Sequence, residues 1–228
     1  MAVIPIEIIS DPICPWCYIG YRTLQRAIAL YQKTYPGGAQ NAFEISWKPY
    51  FIDLVEPAGS VSIHDRMARR MTDSQITAAQ TRLKRAGKEM GISFAFGGYI
   101  GSSRLAHRVL FLAGEHGGSG TQCRMAETLF RHQFELEADI SQPDVVVSAA
   151  VEAGLPEELV GVFLAGDGGV QVIEREAREA RDAGVSGVPR FVIGGKTRFE
   201  GAGDLGEFYE AFVAAGESSP HLSGPEYE

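Results

Sequence analysis

Cysteine is scarce in this chain: three residues in 228 cannot staple a protein of this length, so the fold must rest on an apolar core. Basic charge is short as well. Twenty-one Lys and Arg against 29 Asp and Glu leave a formal charge of −8, and no run of Lys or Arg offsets it. Phosphate binding needs a concentrated basic surface, so neither nucleic acid nor an anionic membrane is an expected partner. No stretch approaches the roughly 18 apolar residues of a membrane span. The opening "MAVIPIEIISD" has no positively charged first segment, and Pro5 and Glu7 break its apolar run, so it does not read as an export signal and a cytoplasmic location is expected. The Gly-rich stretch 94–103 is not a phosphate-binding loop either, since no Gly-Lys-Ser/Thr ending follows it. What is present, 45% hydrophobic and 22% charged residues, suits one large soluble domain or one domain carrying an insertion.

Two of the three cysteines stand two residues apart in "SDPICPWCYIGY", Ser10 to Tyr21. Before them, Val3, Ile4, Ile6, Ile8 and Ile9 form a short apolar run that suits a buried strand. After them, Cys17, Tyr21, Leu24, Ile28, Tyr31 and Tyr35 recur at helical spacing until "PGG" at 36–38 stops the pattern. The pair therefore sits on a strand-to-helix junction, with Pro15 in the first turn, where a missing N–H is tolerated. "FEISWK", 43–48, alternates as a second strand closed by Pro49, and the strand-helix-strand order predicts a parallel pair with a right-handed crossover.

From about Ser62 to Ala183 strand signals largely vanish. Thr72 with Gln75 reads as a capping box for a helix carrying Ile76, Ala79, Leu83, Ala86 and Met90 on one face. Four more helices are expected over 103–113, 122–136, 143–153 and 156–164, divided by Gly or Pro. A further one, with Val170, Ile173, Ala177 and Ala180, ends near Gly184. "FVIGGKTRF", 191–199, then reads as a hairpin turning on Gly194-Gly195, and Asp204 with Glu207 caps a final helix. The order β-α-β, helical block, α-β-β-α is an α/β thioredoxin fold with a helical domain inserted. The expected parts are 1–61 and 169–216 for the thioredoxin-like domain, 62–168 for the insertion and 217–228 for a disordered tail.

A C-x-x-C pair admits a metal, a structural and a redox reading. Zinc normally takes four ligands, yet Cys123 stands alone and the five histidines show no ligand spacing, so no metal is expected. Redox chemistry fits the position. A sulfur at a helix N-terminus faces unpaired N–H groups and the positive end of the helix dipole, which favour the thiolate. Cys14 is then the nucleophile that attacks a disulfide, and Cys17, one turn inward, is the resolving thiol. Pro15 and Trp16 stiffen the turn and shield the pair. In "GVSGVPRFVIGG", 184–195, Pro189 precedes a strand; beside a redox pair it reads as a cis proline that brings the Val188 backbone to the sulfurs for pairing with an incoming chain. Pro15, Trp16, Val188, Pro189 and Arg190 are the expected substrate-contacting residues.

"SDPICPWCYIG", "SSRLAHRVLFLA", "LFRHQFELEADIS" and "GVSGVPRFVIGG" together resemble the DsbA-like thioredoxin superfamily, most closely its intracellular FrnE-type branch, over about residues 3–215. The resemblance implies a cis Pro189 facing Cys14 and Cys17, and thiol-disulfide oxidoreductase activity on protein or small-molecule disulfides. The same superfamily holds 2-hydroxychromene-2-carboxylate isomerase and kappa-class glutathione transferases, which typically lack the second cysteine. A glutathione-dependent isomerase or transferase acting on a small aromatic molecule is therefore the alternative, and glutathione a candidate co-substrate. No tightly bound cofactor is expected. Arg190 could attract a thiolate or a glutathione carboxylate, and Asp204 could meet the glutathione amino group in addition to capping its helix. Asp11, or Glu7 on the first strand, could accept a proton near Cys17. His107, on a helix with apolar residues on both faces, reads as a packed histidine between the two domains or a catalytic one. Cys123 reads as a small buried apolar residue, and the aromatic Gly-rich loop 94–103 as the lining of a groove over the sulfurs.

Overall fold

The computed structural model describes residues 2–54 and 59–218. Strand β1 (Val3–Ser10) leads into α1 (Pro15–Thr34), and a 3-10 turn (Gly38–Gln40) returns the chain to β2 (Ala42–Pro49). A two-residue strand β3 (Val61–Ser62), helices α2 (Ile63–Ala68) and α3 (Asp73–Glu89) and a second short strand β4 (Tyr99–Ile100) follow. Helices α4 (Arg104–Phe134), α5 (Pro143–Glu152), α6 (Glu157–Ala165) and α7 (Val170–Asp182) precede the hairpin β5 (Arg190–Ile193) and β6 (Thr197–Glu200), and α8 (Leu205–Ser218) ends the fold. The main sheet has the order β2-β1-β5-β6. β1 runs parallel to β2 and antiparallel to β5, and β5 antiparallel to β6. This is the expected α/β thioredoxin arrangement with added helices.

Period-two alternation explains the sheet. Ile4, Ile6 and Ile8 are at most 1% exposed, and the register sets Ile45 and Trp47 on one side and Ile193 and Phe191 on the other beside Ile6 and Ile8. Helices α1 and α8 cover this face through Leu24, Tyr31, Phe208 and Phe212, each fully buried. Burying a side chain of this size stabilises by roughly 1.5–3 kcal/mol. Gly20 lets α1 approach closely: a Cβ there would lie 3.0 Å from the Phe191 ring and 3.2 Å from the Ala202 backbone. The opposite face packs Ile9 against Ala180 and Val185, and Lys48 pairs with Glu176 of α7 at 2.7 Å. Helix α7 ends as expected: Gly184 is left-handed (φ 83°) and Val185 N–H closes on Ala180 C=O.

Two expectations need correction, the hairpin and the last helix; the segments 103–113 and 122–136 stand as two helical stretches, which α4 joins across a break at Gly118 (φ 66°, ψ −165°). The break has a structural use. Just beyond it, the Ser119 hydroxyl accepts from Ile45 N–H and donates to Ile45 C=O, and Gln122 accepts from Trp47 N–H, so α4 covers the outer edge of β2. The hairpin carries one residue more than the two glycines. Gly194 and Gly195 both have positive φ and Lys196 N–H donates to Ile193 C=O, yet Ile193 pairs with Thr197. Helix α8 extends to Ser218, two residues into the segment read as a disordered tail; residues 219–228 lie outside the described residues. Both capping boxes form, Thr72 with Gln75 and Asp204 with Glu207.

Candidate active site

Asp11 to Cys14 make a tight turn, with Pro12 in its second position and Cys14 N–H donating to Asp11 C=O at 2.9 Å. Cys14 takes the N-cap of α1 with extended backbone (φ −98°, ψ 111°), and Pro15 follows at the first helical position. The Cys14 carbonyl accepts from Cys17 N–H (3.1 Å) and Tyr18 N–H (3.4 Å). No side-chain oxygen caps this end, so the Cys14 side chain stands where the first N–H groups have no intrahelical partner. Cys14 and Cys17 approach to 3.4 Å, and both are free thiols. From across the sheet, the cis peptide Val188–Pro189 brings its carbonyl in: Cys14 Sγ lies 3.6 Å from Val188 O. Two segments distant in sequence thus converge, the turn and helix start over 11–17 and the Val188–Pro189 loop that precedes β5.

Exposure separates the two sulfurs. Cys14 keeps 6% of its surface and Cys17 none. Burial pushes the Cys17 thiol well above the ordinary cysteine range, and the neighbouring Cys14 sulfur adds to the rise. The Ser10 hydroxyl, buried and otherwise unpartnered, and the Asp11 backbone pull the other way. A pH dependence follows. The unfolded chain releases the thiol proton near pH 8.5, whereas folded Cys17 retains it, so above that pH the unfolded state binds fewer protons and the reduced protein loses stability. The contribution is full below about pH 8.5 and declines as pH rises toward the folded value. Denaturant midpoints of the reduced protein from pH 7 to 10 are expected to fall more steeply than those of Cys17→Ala; parallel curves would contradict this.

Asp11 and His107 meet inside the protein. Asp11 is fully buried; its Oδ1 accepts from Ile13 N–H (3.3 Å) and its Oδ2 from Ile52 N–H (2.8 Å). His107 Nε2 lies 3.7 Å from Asp11 Oδ1 and 3.2 Å from Tyr50 O. Two acceptors face that nitrogen, so it carries the ring proton. The ring stands edge-on to Phe51, with centroids 5.2 Å apart. The Asp11 carboxylate therefore ties the cysteine turn to the 50–52 segment and, through His107, to α4.

The other predicted residues divide. Pro15 lines an apolar groove with Phe96 and Ile100 of the 94–103 loop, and Trp16 lies under the Arg82 guanidinium, 4.9 Å from its ring centroid. Val188 and Pro189 meet Cys14 as described. Arg190 does not join them: its nearest opposite charge is Glu200 at 3.7 Å, and it lines a cavity of about 260 Å³ beneath α7 with Glu7, Lys48 and Glu176. Glu7 shares that cavity. Asp204 is exposed, its carboxylate occupied by the capping box. Cys123 accepts from Trp47 Nε1 at 3.5 Å, and burial raises its pKa. Sequence reasoning missed Ser10, Tyr50 and Arg82. The first two adjoin predicted residues along the chain, but Arg82 carried no signal of its own.

Residues 5–213 match the DSBA-like thioredoxin domain family. No curated protein matches the chain. Among solved structures, the "probable DsbA oxidoreductase" of Streptomyces coelicolor superposes with a TM-score of 0.83 at 24% identity, covering 97% of this chain and 94% of that one. The cytosolic disulfide reductase DsbM of Pseudomonas aeruginosa, solved with GSH, gives 0.59 at 16% identity, covering 93% and 98%. A 2-hydroxychromene-2-carboxylate isomerase gives 0.62 at 13%, covering 93% and 95%. Among the described residues, no helix is long and apolar enough to cross a membrane, and no group of three or more His, Cys, Asp or Glu is placed to hold a metal.

Proposed function

Because the chain belongs to the DSBA-like thioredoxin domain family, we propose that it is a thiol-disulfide oxidoreductase in which Cys14 is the nucleophile and Cys17 the resolving thiol. The observation that carries this reading is the pair itself: Cys14 at the N-cap of α1, which keeps 6% of its surface, and the fully buried Cys17 3.4 Å away. Cys14 thiolate attacks one sulfur of a client disulfide; the Cys14–client bond forms and the client's second sulfur leaves as thiolate. Cys17 gives up its proton, which the leaving thiolate can take, and attacks Cys14. The mixed disulfide breaks, a Cys14–Cys17 bond forms, and the client departs with two electrons and the Cys17 proton, its second thiolate taking a proton from solvent. The reverse sequence oxidises a client dithiol. Val188 C=O beside Cys14 offers a strand-pairing contact to the client backbone. Glutathione suits the co-substrate role, and the likeness to a cytosolic reductase solved with GSH supports both that role and a cytoplasmic site of action. The C-P-W-C and Gly-Val-Pro segments support placement in the FrnE-type branch.

The test is equilibration with mixtures of reduced and oxidised glutathione, followed by acid trapping and mass spectrometry. Loss of two mass units, with the Cys14–Cys17 cross-link found in a peptide map, is expected, and the midpoint gives the reduction potential. A stable glutathione adduct on Cys14 at every ratio, with no internal bond, would overturn this reading in favour of the glutathione-dependent isomerase or transferase.

A further inference from the structure

The helices beside the cysteine pair carry a charge opposite to that of the rest of the protein. Residues 63–89, spanning α2 and α3, hold seven Lys or Arg against three Asp or Glu, in a chain whose net charge is −8. A third of all 21 basic residues thus lies in 27 positions. These helices wall an apolar groove of about 210 Å³ that starts at Ile13 and Pro15, directly beside Cys14, and continues over Met67, Met71, Leu83 and Phe96. Arg66 and Arg70 line it, and Arg82 and Lys84 lie beside it over Trp16 and Phe96. Arg66 is neutralised by a two-pronged contact with Asp53 at 2.6 and 3.1 Å. Arg70, Arg82 and Lys84 have no ion pair among the described residues: Arg70 is exposed on the groove wall, Arg82 lies over Trp16, and Lys84 lies 5.6 Å from the Phe96 ring centroid.

We propose that this groove selects the protein's clients: it docks an acidic segment of a disulfide-bearing polypeptide, with one large apolar side chain in the groove and carboxylates against Arg70 and Arg82. This deepens, and rests on, the dithiol-exchange reading above. Three observations fix the occupant's chemistry. The groove begins at the residues flanking the reacting sulfur, so whatever fills it is covalently close to the disulfide being exchanged. Its wall is apolar, and two methionines, whose unbranched side chains repack easily, accept apolar groups of differing shape. Its free charges are all positive, although the remaining surface is acidic and repels anionic chains, so the attraction is local to the lip of the active site.

Two short peptides, each with an internal disulfide and a leucine beside one cysteine, differ only in flanking Glu or Lys. Versions with serine for both cysteines measure binding alone, by calorimetry. At low salt the Glu peptide is expected to bind, and to be reduced with a kcat/KM, about tenfold better than the Lys peptide. Added salt at 0.5 M narrows the gap, and replacing leucine by serine lowers both. The double variant Arg70→Glu/Arg82→Glu is expected to reverse the preference, its fold checked by circular dichroism and melting. Equal binding of the two serine peptides, or an unreversed preference, overturns the proposal. So does complete displacement of the acidic peptide by equimolar glutathione, which would make the free tripeptide the occupant. The neutral disulfide of 2-mercaptoethanol separates the two levels: its turnover alongside peptides that show no charge preference sinks only this inference, whereas its failure to react sinks the exchange reading.

Discussion

Cys14→Ser is expected to reduce disulfide exchange to the uncatalysed background, whereas Cys17→Ser is expected to stop the cycle half-way, with the client covalently attached. The difference follows from access. Cys14 alone retains exposed surface, and it stands at the helix N-terminus with the Val188 carbonyl beside it, so removing it removes the first bond-forming step. Cys17 is sealed, and burial holds its thiol protonated, so it cannot replace Cys14 as the attacking group. It can still act as the resolving group. Held 3.4 Å from its target, it reacts at an effective concentration of ~10⁵ M or more, which outweighs a small thiolate fraction. Without Cys17 the mixed disulfide at Cys14 has only external thiols to release it. Incubating Cys17→Ser with oxidised insulin or a disulfide peptide and resolving the products on non-reducing gels should give one client per protein, released by DTT. Turnover by Cys14→Ser, or unimpaired multiple turnover by Cys17→Ser, would exclude the dithiol mechanism.

The parts of this site that depend on local chain chemistry were legible in the sequence. A short apolar run, a turn with Asp and Pro, and a 3.6-residue period beginning at Cys17 together place Cys14 at a helix start, and α1 begins at Pro15. Gly184 and the two capping boxes were legible for the same reason, since each joins residues three or four apart. Contacts across long separations were not. His107 lies on a helix with apolar residues on both faces, and only its packing against Tyr50, Phe51 and Asp11 reveals which side matters. Arg82 belongs to a helix that reads simply as amphipathic, and its place over Trp16 depends on how α3 docks beside α1. The break in α4 was legible because Gly114, Gly117, Gly118 and Gly120 cluster there; that Ser119 and Gln122 use it to reach the β2 edge was not.

Asp11→Ala is expected to be the most damaging single change outside the sulfurs. The carboxylate is wholly buried and accepts from two backbone N–H groups, on Ile13 and Ile52, while facing the His107 Nε2–H. Truncation leaves the two backbone donors in an apolar interior without an acceptor, at about 1–3 kcal/mol for each orphaned group. For a chain of this size each kcal/mol corresponds to roughly 2–4 °C in melting temperature, so a fall of about 4–24 °C is expected. Asp11→Asn should be intermediate, because it keeps one oxygen but turns an N–H₂ group toward a donor. His107→Phe preserves the ring shape and leaves both backbone donors satisfied, so its loss should be smaller than that of Asp11→Ala. The order of melting temperatures, wild type above His107→Phe above Asp11→Ala, is the readout, with Asp11→Asn placed above Asp11→Ala. Asp11→Ala within about 0.5 kcal/mol of wild type would show that the 50–52 segment holds its place without the carboxylate. Because the same carboxylate holds Ile13 N–H inside the turn that presents Cys14, the loss should be accompanied by slower attack on disulfides at temperatures where the variant is fully folded. That separation distinguishes a residue that positions the nucleophile from one that only holds the two segments together.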